Sequence, residues 1–389
     1  MTAMKRDVTV TTNLGADVLL CARMDGKEEM SRPFEYVVDL LTQTEDIDLH
    51  KLVGQPMTVH LTIAEGKTRY FNGLVSRVAF TGSEGDYHTY RATVRPWLWT
   101  LTRRTDCRVF QDVTVPDIVK EVFRDAGFSD FEEKLSGDYL ERGYCVQYRE
   151  TDFDFVSRLL EEEGIYYYFL HEDGKHTLVL ADSINAHAPF DGHADMKFFP
   201  PGRTETLEEP HIFDWEVSHE YRSNIFAQTD YDFTEPTKDL ATNASIPRDH
   251  TRAEYEVYDY PGGYTDAGAG DTLSKIRIEE IQAGYERCEG TGNVPGVAVG
   301  HLFTLGNHPR GDQNQEYLVL SCRHALSVGS YESKSAGGGD ASYEVGFTVQ
   351  PSAQAYRPPR ITPKPGVQGP HTATVVGPDG ETVWCDEYG

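Results

Sequence analysis

From Val8 to Leu101 the chain alternates apolar and polar residues in short runs broken by turn residues, the period of half-buried β-strands. The clearest run is Met57-Thr-Val-His-Leu-Thr-Ile63, which Ala-Glu-Gly-Lys separates from Thr68-Arg-Tyr-Phe71. Residues 1–104 are therefore expected to form a meandering β-barrel. Asn72-Gly73 has the composition of a hairpin tip, but Glu65-Gly66-Lys67 has just supplied a turn. Gly73 is expected inside a strand instead, at a bulge or corner.

The period changes at Thr114. Ile118, Val119, Val122, Phe123 and Ala126 fall at helical spacing, with Thr114 as cap and Gly127 as stop. A second helix starts at Thr151, with Asp154 in the reciprocal capping position. Phe155, Val156, Leu159 and Leu160 form its buried face, and Gly164 ends it. Next, Ile165-Tyr-Tyr-Tyr-Phe-Leu170 and His176-Thr-Leu-Val-Leu180 flank Glu172-Asp-Gly-Lys175 and read as a hairpin. Alternation sends Tyr166 and Tyr168 to one face and Tyr167 to the other. The tyrosine run is thus read as core or subunit packing and not as a sugar-stacking platform. Residues 105–195 form a mixed helix-and-hairpin segment inserted into β-rich sequence.

Short strands resume after the polar stretch Phe199–Pro210: Ile212–Tyr221, Phe226–Phe233, Glu254–Tyr258, Leu302–Leu305, Tyr317–Leu320 and Tyr343–Val349. A helix is expected from about Gly270 to Ala283. Residues 196–356 are read as a second barrel, without a sequence repeat at any fixed period. Arg357–Pro370 is Pro-rich and expected to be an extended linker. Beyond it, Ala373-Thr-Val-Val376, Gly-Pro-Asp-Gly380 and Glu381-Thr-Val-Trp-Cys385 spell one more hairpin. A lone hairpin is marginally stable, so the sequence is expected to stop inside a domain. The fold class is mainly β with short α-helices (α+β).

Composition narrows the functional classes. Lys and Arg total 36 against 63 Asp and Glu, a net charge of -27, which repels a phosphate backbone and speaks against nucleic-acid binding. The six cysteines are scattered, without a CxxC pair, and read as reduced structural thiols. Thr and Val alternate after Lys5-Arg6, so no secretory signal is expected and synthesis is expected to be cytoplasmic. No apolar run reaches the length of a membrane span, and no membrane anchor is expected.

The candidate chemistry is thin. Paired carboxylates could serve a glycosidase, and the candidates are Asp152 with Asp154, Glu161 to Glu163, and Glu279 with Glu280. On helices, however, neighbouring carboxylates diverge by about 100° per residue, and capping explains those near Thr151. His171 and His176 flank a turn, but two ligands fall short of a zinc set, and solvated hairpin ends are the preferred reading. His187 with His193 reads as a similar inert loop pair. Cys145 has the neighbours of a buried strand cysteine rather than a nucleophile. Gly290-Thr-Gly-Asn-Val-Pro-Gly296 lacks the spacing of a phosphate loop and is read as a turn. Asn243-Ala-Ser245 is a formal glycosylation sequon with no secretory context. No catalytic, cofactor-binding or metal-ligating residue is assigned, and the chain is expected not to be an enzyme.

Three stretches carry a family resemblance. Tyr148-Arg-Glu-Thr-Asp-Phe-Asp-Phe-Val-Ser-Arg-Leu-Leu-Glu-Glu-Glu-Gly-Ile-Tyr-Tyr-Tyr-Phe169 resembles the most characteristic segment of VgrG proteins, the spike proteins of bacterial type VI secretion systems. Arg277-Ile-Glu-Glu-Ile-Gln282 with Gly290–Asn293, Gly300–Leu305, His308-Pro309 and Asn314–Val319 is a second match. Tyr356-Arg-Pro-Pro-Arg360 through Pro363–Pro365, Gly369-Pro370, Thr372-Ala373 and Asp386–Gly389 resembles the family's passage from hub into an OB-fold neck. Weaker likeness at Phe34–Tyr36 and Leu52–Gly54 extends it towards the N-terminus. His371 stands where the family more often has Gln.

The resemblance implies tandem phage-tail-hub-like barrels, with residues 357–389 as linker and first hairpin of the neck. It implies a homotrimer forming a pseudo-sixfold ring on the hexameric Hcp tube. A needle, a PAAR tip protein and effectors would follow beyond Gly389, and injection by the type VI apparatus would replace a signal peptide. The rival readings are a spike-associated, muramidase-like peptidoglycan hydrolase and a carbohydrate-binding adhesive β protein.

Overall fold

The computed structural model describes residues 8–63, 67–202, 207, 209–329, 341–370, 372, 377–380 and 384–385. The first β region comprises β1 (Val8–Thr11), β2 (Leu20–Glu29), β3 (Glu35–Thr42), β4 (Pro56–Thr62), β5 (Thr68–Glu84) and β6 (Tyr87–Arg95). Strict alternation in β3 turns Tyr36, Val38 and Leu40 inward, as a period of two requires. The strands are not in a simple meander: the spatial order is β1-β4-β5-β6-β3-β2. Two register shifts in β5, at Val75/Arg77 and Phe80/Gly82, bend this long strand. Gly73 lies inside β5 opposite Met57, as expected, before the first shift. A Cβ there would lie 2.7 Å from Val94 Cγ1 and 2.9 Å from Phe34 Cε2, so close packing requires glycine.

The next segment holds β7 (Thr105–Phe110), α1 (Val115–Asp125), β8 (Phe131–Lys134), β9 (Cys145–Thr151), α2 (Asp152–Glu163), β10 (Tyr166–Glu172) and β11 (Lys175–Ala181). Both helices begin where the sequence predicts. Thr114 accepts from the Asp117 N–H. Thr151 accepts from the Asp154 N–H and returns its hydroxyl to the Asp154 carboxylate at 2.7 Å. The hairpin of β10 and β11 is a wedge between two hydrophobic cores. Tyr167, Phe169, Leu178 and Leu180 join the first core, whereas Tyr166, Tyr168, Val179 and Ala181 join the second. The alternation read from the tyrosine run therefore distributes packing to both sides.

The last segment contains β12 (Ala188–Pro189), β13 (Asp195–Lys197), β14 (Ile212–His219), β15 (Ile225–Gln228), β16 (Thr242–Ser245), β17 (Glu256–Asp259), α3 (Ala267–Gln282), β18 (Glu286–Gly292), β19 (His301–Gly306), β20 (Glu316–Ser327) and β21 (Ser342–Pro351). β15, β16 and β17 make a small separate sheet. The principal sheet does not end at the boundary between the β regions. β2 pairs antiparallel with β20 from Arg23↔Ser327 to Glu29↔Ser321, and the ladder continues through β21, β18 and β14.

One expectation is corrected in this region. Gly290–Gly292 belongs to β18 and is not a turn. A Cβ on Gly290 would stand 2.5 Å from the Phe347 ring, so this glycine admits a neighbouring aromatic. The strands expected at 373–376 and 381–385 lie, apart from Trp384 and Cys385, outside the described residues.

Candidate functional site

The sequence offers no catalytic constellation, and the structure concentrates its polar chemistry where the pieces of the chain meet. The first such place is a buried cluster under the β10–β11 hairpin. Glu28 on β2 accepts from the Tyr36 hydroxyl at 2.8 Å and from His324 Nε2 on β20 at 3.0 Å. Arg69 on β5 brings a guanidinium nitrogen to 3.7 Å of the same carboxylate. Burial alone would raise the Glu28 carboxyl, but the hydrogen bond and charge of His324, with Arg69 nearby, hold it well below the usual carboxylate range. The cluster links the first strands of the chain to one of its last through a single carboxylate.

His171 and His176 sit beside this carboxylate and are not solvated hairpin ends. They face each other across the hairpin and are covered because the turn docks on β4 and β5, where the Gly174 N–H donates to Thr58 Oγ1 at 3.2 Å. The Trp97 N–H donates to His176 Nε2 at 2.9 Å, so the ring's proton is on Nδ1 and donates to Asn72 Oδ1 at 2.7 Å. Burial pushes His171 down to about 4 and His176 down to about 3. His187 is buried as well. It stacks on Tyr166 with an interplanar angle of 3° and donates from Nδ1 to the Gly300 carbonyl at 2.8 Å, whereas His193 is half-buried beside Phe190. Cys145 is buried in β9, as its neighbours predicted.

The second place is a strap. Residues 357–364 form neither helix nor strand and are fastened to α2 and α3. The Arg357 guanidinium pairs with Glu279 at 2.8 Å and donates to the Gly164 and Asp182 carbonyls at 3.1 and 2.9 Å. Glu280 accepts from the Arg360 N–H at 2.9 Å and pairs with Arg277 at 3.1 Å. Glu161 accepts from the N–H groups of Ile361 and Thr362 at 3.0 and 2.9 Å. Lys364 pairs with Glu162 at 2.7 Å.

Every carboxylate that suggested glycosidase chemistry has a structural partner. Beyond those holding the strap, Asp152 meets Arg108 at 2.7 Å and Gln147 at 2.8 Å. Asp154 closes the cap of α2, and Glu162 and Glu163 grip Arg142 at 2.8 and 2.6 Å. Sequence reasoning missed Arg357, Thr362 and Lys364. The available signal was complementary charge between a Pro-rich cationic stretch and the acidic ends of two helices. Among the described residues no His, Cys, Asp and Glu group could hold a metal ion, and no helix is long and apolar enough to cross a membrane.

Comparison with known proteins places this architecture. Residues 27–330 match the phage tail baseplate hub (GPD) family. Over 384 residues the chain is 46% identical to the type VI secretion system spike protein VgrG1b of Pseudomonas aeruginosa, covering 99% of this chain and 52% of that protein. It is 44% identical to VgrG1a of the same organism, covering 99% of this chain and 60% of that protein. The chain thus spans between half and two thirds of these relatives. Among solved structures, the E. coli c3393 protein has a TM-score of 0.66 at 18% identity, covering 92% of this chain and 81% of that chain. It is described as a type VI secretion component structurally similar to T4 bacteriophage tail proteins gp27 and gp5. The 43 kDa tail protein of Shewanella oneidensis prophage MuSo2 has a TM-score of 0.60 at 11% identity, covering 90% of this chain and 99% of that chain. Both likenesses show a tail-hub fold, and the resemblance read from Tyr148–Phe169 holds across almost the whole sequence. The chain belongs to the phage tail baseplate hub (GPD) family, and it is similar to VgrG spike proteins over the part of them that it spans.

Proposed function

We propose that this chain is the hub of a type VI secretion spike: a homotrimer whose six β regions form a pseudo-sixfold ring seated on the hexameric Hcp tube. Residues 1–104 and 196–356 supply the two barrels of each subunit, residues 105–195 brace them, and residues 357–389 lead towards the neck. The observation that carries the reading is the β2·β20 ladder, which fuses the two β regions into one sheet and fixes their relative orientation. Two rigidly joined β regions per copy give a trimer six parts to set against a sixfold surface. A needle, a PAAR tip protein and effectors complete the device.

The role is mechanical, not enzymatic, since the candidate acids are committed to caps and ion pairs. The chain is made in the cytoplasm and leaves with the injected apparatus. Its charge of -27 argues against nucleic acid as a partner.

Deleting the gene in its host and measuring Hcp in the medium tests the reading. Loss of extracellular Hcp, restored by the intact gene and not by one lacking residues 1–104, is expected. Undiminished Hcp export in a strain without any other spike gene would overturn it.

A further inference from the structure

β17 is a strand with one neighbour and no cover. It ends the small sheet, pairing parallel with β15 on one side only. All of its residues, Glu256–Asp259, are exposed, so both of its faces are open, while α3 packs on β15 and β16. The Ile225 N–H donates to the Tyr255 carbonyl. The backbone groups of Tyr255, Val257 and Asp259 therefore turn towards β15, and those of Glu256 and Tyr258 turn outward. Among the described residues no backbone hydrogen bond reaches Glu256 or Tyr258 from outside the sheet.

An open edge is a template for another strand, and proteins commonly blunt such edges with Lys, Pro or a bulge. β17 has none of these. It carries aromatic surface and negative charge instead. Tyr231, Tyr258 and Tyr260 are each more than half exposed, with Tyr255 and Val257 beside them. The Gly262 N–H donates to the Thr229 carbonyl at 3.0 Å, which holds the loop after β15 near the end of β17. Arg360 approaches Asp259 only to 3.9 Å, and no ion pair among the described residues involves Glu254 or Glu256. Residues 229–260 contain eight Asp or Glu against three Lys or Arg.

Backbone and charge together select the occupant. Outward N–H and carbonyl groups pair with an extended backbone, and the side chains beside them set which one. The carboxylates repel the same edge of a second copy and favour a cationic strand, whose Lys or Arg side chains also pack on tyrosine rings. We propose that β17 is a docking edge for an extended, Lys- or Arg-bearing segment of another protein, which joins the three-stranded sheet as a further strand. This surface goes beyond the trimeric reading above and does not depend on it.

A synthetic peptide of alternating Lys and Val, titrated into the full chain and followed by fluorescence anisotropy and amide exchange, tests the proposal. It is expected to bind and to slow exchange at the Glu256 and Tyr258 amides about tenfold or more. A Glu and Val peptide, and a Lys and Val peptide carrying Pro at alternate positions, are each expected to bind about tenfold more weakly. Glu256→Arg is expected to weaken binding of the Lys and Val peptide about tenfold. Tyr258→Pro removes an outward N–H that β15 does not use, and is expected to weaken binding more than Tyr258→Ser. Unchanged thermal melting shows that a variant is folded, and where Tyr258→Pro melts early the Pro-bearing peptide makes the same comparison on the intact chain. Absence of binding, equal binding of the Glu and Val peptide, or binding without protection of the two amides overturns the proposal. Slow exchange at both amides before any peptide is added also overturns it, because a second copy then already covers the edge.

Discussion

Thr362 engages both carboxylate oxygens of Glu161: its N–H donates to one at 2.9 Å and its hydroxyl to the other at 2.8 Å. Glu161 lies in the last turn of α2, where a negative charge gains nothing from the helix dipole, and it is only 4% exposed. The carboxylate is kept there by the strap, and the strap is kept in place by the carboxylate.

Glu161→Ala leaves three strap donors without their acceptor. Hydrogen bonds to charged groups contribute about 1.5–3 kcal/mol each when broken singly, and donors near the surface regain water. A stability loss of roughly 2–3 kcal/mol is expected, with cleavage between 357 and 370 accelerated in limited proteolysis. Thr362→Val, which removes only the hydroxyl, should show a smaller change in the same direction. An unchanged cleavage rate in Glu161→Ala would contradict the fastening.

Gly164 ends α2 at φ 68° with its would-be Cβ 2.5 Å from Ile276 Cγ2, whereas Gly174 at φ 73° has open space around it. Gly174→Ala should cost only the left-handed backbone strain, about 1–2 kcal/mol. Gly164→Ala adds overpacking against α3, for roughly 2–5 kcal/mol altogether. Urea denaturation of the pair checks the ranking, which equal losses would refute.

Arg158 and Glu150 form a buried bidentate pair at 2.7 and 2.8 Å. Removing one partner strands the other, so Arg158→Ala should cost about 3–5 kcal/mol. Replacing both, as Arg158→Met with Glu150→Leu, should cost less than Arg158→Ala alone. A double variant as unstable as the sum of the single ones would show that the charges act independently.

Acid should loosen the junction before the carboxylates titrate. His171 and His176 have folded values of about 4 and about 3 against an ordinary 6.5, so between these values the unfolded chain binds protons that the folded chain refuses. Stability therefore falls as pH drops below about 6.5, by roughly 1.4 kcal/mol per pH unit for each ring, and this loss ends near the folded values. Glu28, held below the carboxylate range, loses its contribution only at lower pH. Chemical denaturation at pH 7.5, 6.0 and 5.0 should show the decline, and His176→Asn should lessen it while His171 keeps the remainder. A wild-type profile level down to pH 5 would contradict the buried neutral rings.

Much of the local structure was legible because it depends on nearest neighbours. Thr114 and Thr151 mark their helices through side-chain capping, and Tyr166–Tyr168 declares its two faces through a period of two. The β2·β20 ladder was not legible, since nothing in Arg23–Glu29 names a partner about 300 residues away. The burial of His171 and His176 was missed for the same reason: alternation pairs them across the hairpin but says nothing about β5 lying above. The fastening of the strap was not legible, because prolines advertise backbone geometry while Arg357 and Lys364 find their acids only after α2 and α3 are placed. Residues 148–169 were informative for family because they hold cap, helix and wedge together in one uninterrupted run.

A chain that seats a trimeric spike on a hexameric tube reveals this in the mass of the complex. Native mass spectrometry of the purified chain mixed with the Hcp hexamer of its own host should show a trimer of the chain bound to one hexamer. A chain that remains monomeric, or a trimer that leaves the hexamer unbound, would contradict the account.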